Sequence, residues 1–164
     1  MDQEHRIEGI FTDDGNNWLT KDKFTGHGFT IKPSACVMSV VGVRVKNAAH
    51  APEGHSQPIR ATRSFRVLVL REIGPWEQML EKELENPLPA GAPAPTLQTI
   101  LFREAVDVQF LRFDLVSYWG NLGGGLDYFA VITVSGNLCL LLSEVYVSLN
   151  RLVPIHGDGQ LPTL

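Results

Sequence analysis

Hydrophobic and polar residues alternate along several short segments of this chain, a pattern typical of β-strands that bury one face. The clearest example is residues 109–118, in which Leu111, Phe113 and Leu115 share one face and polar residues share the other. We therefore predict many short strands, with loops where glycine and proline interrupt the alternation. The predicted strands cover residues 29–32, 37–46, 64–71, 97–102, 109–118, 126–134 and 138–149.

The segment from Trp76 to Leu84 does not alternate in this way. Its apolar residues recur at helical spacing, so periodicity alone predicts one or two helical turns there. A stretch rich in proline and alanine follows at residues 86–95. We interpret it as a loop inside one domain, because the segments on both sides look like parts of one core.

Length and composition favour one globular domain. The chain has 164 residues, of which 44% are hydrophobic and 20% are charged, and a domain holds roughly 150 residues. The net charge of −4 provides no bulk attraction to nucleic acid or anionic lipid, so no nucleic-acid partner is predicted. Cys36 and Cys139 do not form a disulfide framework, and free buried thiols are favoured.

The two chain ends bear on localisation. The first residues are polar and charged, and no apolar signal region follows them, which predicts an intracellular protein by default. Towards the other end, the apolar stretch at residues 128–149 is interrupted by Ser135-Gly136-Asn137 and by Glu144. A pair of strands around that turn is therefore favoured over a membrane-spanning segment.

The sequence contains no motif that indicates catalysis, and we predict no enzymatic activity. Nucleophile elbows, phosphate-binding loops and His-Glu-x-x-His are all absent from it. The run Gly123-Gly124-Gly125 lacks the Lys-Ser or Lys-Thr pair of a phosphate cradle, which favours a hairpin loop. His50 and His55 share one loop, but no third metal ligand lies at a suitable spacing, so solvated histidines are favoured.

Residues 117–129, Ser-Tyr-Trp-Gly-Asn-Leu-Gly-Gly-Gly-Leu-Asp-Tyr-Phe, resemble the closing strands of discoidin-type domains. These are also called coagulation-factor type C or galactose-binding-like domains. The resemblance covers roughly residues 10–132 and implies an all-β, eight-stranded jelly-roll β-sandwich. It conflicts with the helical periodicity after Trp76, so a short helix and a bulged strand both stay open there. The other segments that agree in the same order are residues 14–18, 28–31, 60–67, 74–80 and 110–113.

The resemblance also sets the expected domain limits. It implies a discoidin-like domain at residues 1–134 and a C-terminal extension at residues 135–164. The family has more chain before the opening loop than is found here, which would leave one strand edge of the sandwich without a partner. Residues 138–149 alternate as a strand against a core does, so we expect them to pair with that edge.

The resemblance implies a ligand site in loops at one end of the sandwich, namely residues 13–27, 47–62 and 119–125. Sugar binding requires planar polar side chains that donate and accept hydrogen bonds, together with an aromatic face. We therefore hypothesise a non-enzymatic module that recognises a glycan or a protein surface. The candidate ligand-binding residues in these loops are Asn17, Lys21, His27, His50, His55, Arg60 and Trp119.

The tryptophans of this pattern have different expected roles. Trp18 and Trp76 are predicted to lie in the core, as the family's tryptophan after the opening loop does. Tyr118 and Trp119 lie at a strand end beside the glycine run. For these two, core packing and an aromatic platform for a sugar ring both stay open.

Two other functions remain as alternatives. Some domains of this family bind phospholipid, and Trp18 and Phe24 beside Lys21 and Lys23 could serve as apolar spikes ringed by basic residues. Related sandwiches act as protein-interaction scaffolds inside cells, which the missing signal region favours, although the family is often extracellular.

Calcium is the one ion that the resemblance brings into consideration. Some domains of the family hold Ca²⁺ near the opening loop, where Asp13, Asp14 and Asn16 offer oxygen ligands here. Those domains also use an acidic residue in the last strand, and the comparable position in this chain is Ala130. A plain turn is therefore favoured, and neither a cofactor nor a metal site is predicted.

Overall fold

The protein is built from β-strands. This computed structural model describes residues 10–11, 18–20, 28–33, 37–49, 60–87, 89, 92–119, 123–134, 138–139 and 142–148, the last two ranges for the backbone only. Within these ranges there is no α-helix, and hence no helix with the length and apolarity to cross a membrane. The strands are β1 (Trp18–Leu19), β2 (Gly28–Pro33), β3 (Met38–Asn47), β4 (Thr62–Leu70), β5 (Glu77–Glu83), β6 (Gln98–Val108), β7 (Phe110–Tyr118), β8 (Gly125–Thr133), β9 (Leu138–Cys139) and β10 (Leu142–Ser148).

The strands form two antiparallel sheets of five strands each. The first sheet has the order β1-β8-β3-β6, with β9 also paired to β8, and the second has the order β10-β2-β7-β4-β5. Apolar residues from the inner faces of both sheets form one buried cluster, which makes the molecule a β-sandwich. The predicted all-β, galactose-binding-like sandwich is confirmed by this arrangement.

The segment after Trp76 is a bulged strand, so the helix indicated by periodicity is wrong. Strand β5 is the edge strand of the second sheet, and most of its residues are exposed on both faces. An edge strand with few buried positions has little need for strict alternation, which is why its pattern misleads. Its pairing with β4 shifts register between Val67 and Leu68. Trp76 itself is half-buried ahead of β5 and not part of the core cluster, so the prediction of a core residue is also wrong.

The centre of the core is a cluster of aromatic rings around Phe113. Its ring stacks on Phe29 and on Phe65, both at 5.0 Å between centroids, and these three residues lie on adjacent strands of the second sheet. Phe129 from the first sheet meets Phe113 edge-on at 5.7 Å. Trp18, as expected, is buried, and its ring contacts Phe113 edge-on at 6.1 Å. One side chain therefore contacts four aromatic rings and joins the two sheets.

A buried carboxylate reinforces the same strands on the opposite face of the second sheet. Asp114 is only 2% exposed. The Arg112 Nε lies 2.6 Å from its Oδ1, and the Arg66 Nη2 lies 3.2 Å from its Oδ2. Gly28 pairs with Asp114, and a Cβ there would lie 2.1 Å from the Phe113 carbonyl oxygen. Strand β2 can approach β7 this closely only because residue 28 is glycine.

The C-terminal strands pair with both sheets. The strand pair predicted around Ser135-Gly136-Asn137 is present, since Val131 pairs with Cys139 and Ile132 with Leu138. Strand β10 pairs along β2, from Leu142 opposite Pro33 to Ser148 opposite Gly28. The other edge of β2 pairs with β7, so β10 supplies the backbone partners that β2 would otherwise lack.

Replacing Phe113 by alanine is expected to lower the free energy of unfolding by about 3–5 kcal/mol, because the substitution leaves a cavity among four rings. Urea unfolding followed by tryptophan fluorescence measures the change. Phe110→Ala is the matched control, because Phe110 lies on the same strand but is only half-buried and outside the core cluster. Equal losses for the two variants would contradict the central role of Phe113.

Ending the chain after Ser135 is expected to lower the melting temperature and solubility, because the backbone groups of β2 that pair with β10 lose their partners. Thermal unfolding of the shortened and full-length chains makes the comparison. A shortened chain that stays soluble with an unchanged melting temperature would show that residues 136–164 are dispensable for the fold.

Candidate functional site

The strand ends that three connections of the fold join lie at one end of the sandwich, which we call the loop end. Residues 20–27 join β1 to β2, residues 48–61 join β3 to β4, and residues 119–124 join β7 to β8. The strand ends that carry them are adjacent, because Asn47 and Trp18 both pair with Leu126, and Thr62 pairs with Tyr118.

Asn47 closes the base of the connection between β3 and β4. It is 2% exposed, and its Nδ2 donates to the Thr62 carbonyl oxygen at 2.8 Å while its Oδ1 accepts from the Thr62 backbone N–H at 2.9 Å. The same Nδ2 lies 3.5 Å from the Glu85 carbonyl oxygen. A side-chain amide both donates and accepts, so this one residue satisfies both backbone groups of Thr62.

Two buried threonines join the other connections to the glycine run. The Thr62 hydroxyl donates to the Gly125 carbonyl oxygen at 2.8 Å and accepts from the Gly125 N–H at 3.2 Å. Thr20 makes the equivalent pair of hydrogen bonds with Gly124, at 3.3 and 3.1 Å. A Cβ on Gly124 would lie 2.9 Å from the Leu115 side chain. The glycine run is therefore a tightly packed support for the loop end. The prediction of a hairpin loop is wrong, because β7 and β8, which flank the run, belong to different sheets and do not pair.

Arg60 and Trp119 are the two predicted site residues that the structure describes, and Ala61, the residue after Arg60, is hydrogen-bonded to the backbone of Trp119. The Trp119 backbone N–H donates to the Ala61 carbonyl oxygen at 2.9 Å, and the Ala61 N–H donates to the Gly123 carbonyl oxygen at 3.3 Å. Arg60 immediately precedes Ala61 and is half-buried. Its Nε is buried without a hydrogen-bond partner among the described residues.

The Trp119 ring is held by its surroundings. Its indole N–H donates to the Leu84 carbonyl oxygen at 3.1 Å. The Arg63 guanidinium lies over the ring, 4.7 Å from the centroid, which is within the range of a cation–π interaction. The Arg63 Nε also lies 3.4 Å from the Glu83 Oε1. Arg63 thus occupies one face of the ring that the sequence offered as a sugar platform, while Tyr118 packs against the core.

The other predicted ligand-binding residues lie outside the described part of the chain. The same holds for Asp13, Asp14 and Asn16 of the considered calcium site. Ala130 is buried in β8, and no group of three metal-binding side chains occurs in the described ranges. The ligand-binding residues concerned are Asn17, Lys21, His27, His50 and His55.

Sequence reasoning did not single out Asn47, Thr62 or Arg63. The only signal for Asn47 and Thr62 is a polar residue next to a valine-rich strand, at the junction with a long loop. The Arg63 contact joins residues 56 positions apart (119 − 63), and no local pattern indicates such a pairing.

Comparison by sequence finds no family model that matches this chain. A search of curated proteins likewise finds no match.

Comparison by structure does find similar proteins. Chitosan-binding module 1 of a chitosanase/glucanase from Paenibacillus sp. IK-5 aligns with a TM-score of 0.57 and 13% identity, over 79% of this chain and 86% of that one. The family 32 carbohydrate-binding module of Streptococcus pneumoniae EndoD aligns with a TM-score of 0.57 and 14% identity, over 80% and 87%. An F5/8 type C domain from Bacteroides fragilis aligns with a TM-score of 0.58 and 13% identity, over 79% and 82%. The chain has the discoidin-like fold that the sequence resemblance implied.

Replacing Asn47 by aspartate is expected to lower the free energy of unfolding by about 1–3 kcal/mol, because a carboxylate cannot donate to the Thr62 carbonyl oxygen and leaves it unsatisfied. Urea unfolding measures the change. Gln78→Glu makes the same amide-to-carboxylate exchange at an exposed position of β5 and serves as the control. Equal stability of the Asn47→Asp variant and the parent chain would show that this residue does not hold the base of the loop.

Proposed function

We propose that this protein is a non-enzymatic binding module that recognises a glycan through the connections at its loop end. The observation that carries the proposal is its fold, which it shares with modules described as carbohydrate-binding and chitosan-binding, one of them solved in complex with chitotriose. Fold alone does not determine function, so the chemistry at the loop end has to support the same conclusion.

The loop end offers suitable groups on a firm base. Arg60 supplies guanidinium N–H donors for sugar hydroxyls, and Trp119 supplies an aromatic ring whose edge and one face are already fixed. Trp119 is hydrogen-bonded to Ala61, the residue after Arg60, and Ala61 is hydrogen-bonded to Gly123 of the glycine run. A preorganised base reduces the entropy that a ligand must overcome on binding.

The alternative ligand, a protein surface, would bind at the same loop end. The test below distinguishes it from a glycan. Binding to a phospholipid surface has less support, because Trp18 is 5% exposed and packs in the aromatic core. It is therefore not available as one of the apolar spikes that membrane insertion needs.

A glycan array probed with the full chain is expected to show binding above background, and Arg60→Ala or Trp119→Ala is expected to weaken it by about tenfold or more, as for buried arginine and tryptophan contacts. Arg71→Ala and Trp76→Ala are the matched controls. They remove the same residue types at the turn between β4 and β5, at the other end of the sandwich.

The melting temperature of each variant separates lost binding from lost folding. If no glycan binds above background, or if the loop-end variants bind as the parent chain does, the proposal is wrong. Retention of a protein partner by a chain that binds no glycan would favour the protein-surface alternative.

A further inference from the structure

A polar groove of about 390 Å³ lies on the second sheet, where β4 runs between β5 and β7 next to the loop end. It is an open surface groove, and its volume lies near the lower end of the range for small-ligand sites. None of its residues was predicted from the sequence as a site residue. The groove is lined by Arg63, Ser64, Glu81, Lys82, Glu83 and Ser117.

The strands are irregular where the groove forms. Ser64 pairs with Ser117 on one side and with Glu83 on the other. The register between β4 and β7 shifts on both sides of Ser64, between Thr62 and Ser64 and again between Ser64 and Phe65. Such bulges redirect side chains and are frequent beside binding sites.

The Ser64 and Ser117 side chains form a pair of hydroxyls in this groove. Their oxygens lie 2.5 Å apart, so one hydroxyl donates to the other. The accepting hydroxyl keeps its own hydrogen, and both oxygens keep lone pairs. The pair can therefore both donate to and accept from a bound hydroxyl group.

Arg63 is held in a defined position at the groove. One face of its guanidinium lies over the Trp119 ring, and its Nε forms an ion pair with the Glu83 Oε1 at 3.4 Å. A guanidinium has five N–H donors, so these contacts leave several of them for a ligand. The side chains of Arg63 and Glu83 are 49% and 56% exposed, which keeps both within reach of a molecule in the groove.

We propose that this groove is a subsite for a neutral pyranose ring of the bound glycan. The inference rests on the proposed function and adds the position and charge class of one sugar unit. Carboxylates accept from sugar hydroxyls, and the guanidinium, the ammonium and the serine pair donate to them. Trp119 is a positioning residue in this arrangement, because it acts by holding Arg63.

The charges of the groove favour a neutral sugar over a charged one. Two cationic residues, Arg63 and Lys82, stand with two anionic residues, Glu81 and Glu83. The charges balance, so a uronic acid or an amino sugar meets a repulsive contact together with each attractive one, and it must also give up the water around its own charge. A neutral ring avoids the repulsion and the desolvation cost.

The test follows backbone amide chemical shifts of the full chain during titration with four trisaccharides: cellotriose and triacetylchitotriose, which are neutral, chitotriose, which is cationic, and trigalacturonic acid, which is anionic. At least one neutral trisaccharide is expected to shift the amides of residues 63–64, 81–83 and 117, and to bind more tightly than its charged counterparts.

Glu83→Gln is expected to weaken that binding by about tenfold, the effect of one hydrogen bond to a charged group. Glu77→Gln is the matched control, because Glu77 at the start of β5 forms an ion pair at 3.1 Å with Arg71, the residue after β4, at the far end of the same strand pair. Ser117→Ala is a second variant that leaves the ion pair intact and is expected to weaken binding as well. An unchanged amide spectrum outside the groove verifies that each variant folds.

The outcomes separate this inference from the proposed function. If only amides at the loop end shift, and the Glu83→Gln variant binds as the parent chain does, the groove is not a subsite. Glycan binding at the loop end would then still stand. Tighter binding of a charged trisaccharide in the groove would overturn the neutral class. If none of the four trisaccharides binds but the chain does bind a glycan on the array, the subsite proposal alone is wrong. If no binding is detected in either assay, both proposals are wrong.

Discussion

The stacking of three phenylalanine rings from adjacent strands is the interaction on which this sandwich depends. Phe113 lies between Phe29 and Phe65 within its own sheet and meets Phe129 across the interior. Large aromatic side chains bury much apolar area, and the stacked and edge-on geometries seen here are the favourable ones. The same ring therefore contacts the neighbouring strands of its own sheet and the facing sheet, which links the two layers at the centre of the core.

The strand that carries Phe113 also connects the core to the loop end. Strand β7 presents Phe113 inward and Asp114 to the two arginines outward, and it finishes at Tyr118, beside Trp119. The packing of β7 in the core therefore determines where the Trp119 ring lies. Asn47 at the end of β3 is hydrogen-bonded to Thr62 at the start of β4. Thr62 is in turn hydrogen-bonded to Gly125 at the start of β8. These hydrogen bonds satisfy buried backbone atoms at the base of the proposed site.

Much of the fold could be predicted from the sequence, because strands buried on one face must alternate. Residues 109–118 and 64–71 alternate clearly and correspond to β7 and β4. Strand β6 was predicted only to residue 102, whereas it continues to Val108. Its register with β3 jumps from Val40 opposite Val106 to Gly42 opposite Leu101, so the alternation is broken within the strand. Irregular pairing and exposed edges remove the signal that periodicity depends on.

The candidate site was less predictable than the fold. Arg60 and Trp119 were proposed as site residues because they lie in loops that a family resemblance identified. The ion pair and ring contact of Arg63 were not, because they depend on the side-by-side placement of β4, β5 and β7. The serine pair behaves in the same way, since its members are 53 positions apart in sequence. Contacts of this kind follow from register, which a single sequence leaves open.

The hydrogen bonds that close the loop bases use backbone atoms and three side chains at strand ends, those of Thr20, Asn47 and Thr62. In the described part of the chain, these bonds join residues at or next to the strand ends. Evolution can therefore rewrite or lengthen the intervening segments while the anchors stay constant, and binding preference can diverge without a compensating change in the core. A protein engineer has the same freedom, because a foreign segment grafted between two anchored strand ends inherits a rigid attachment on both sides.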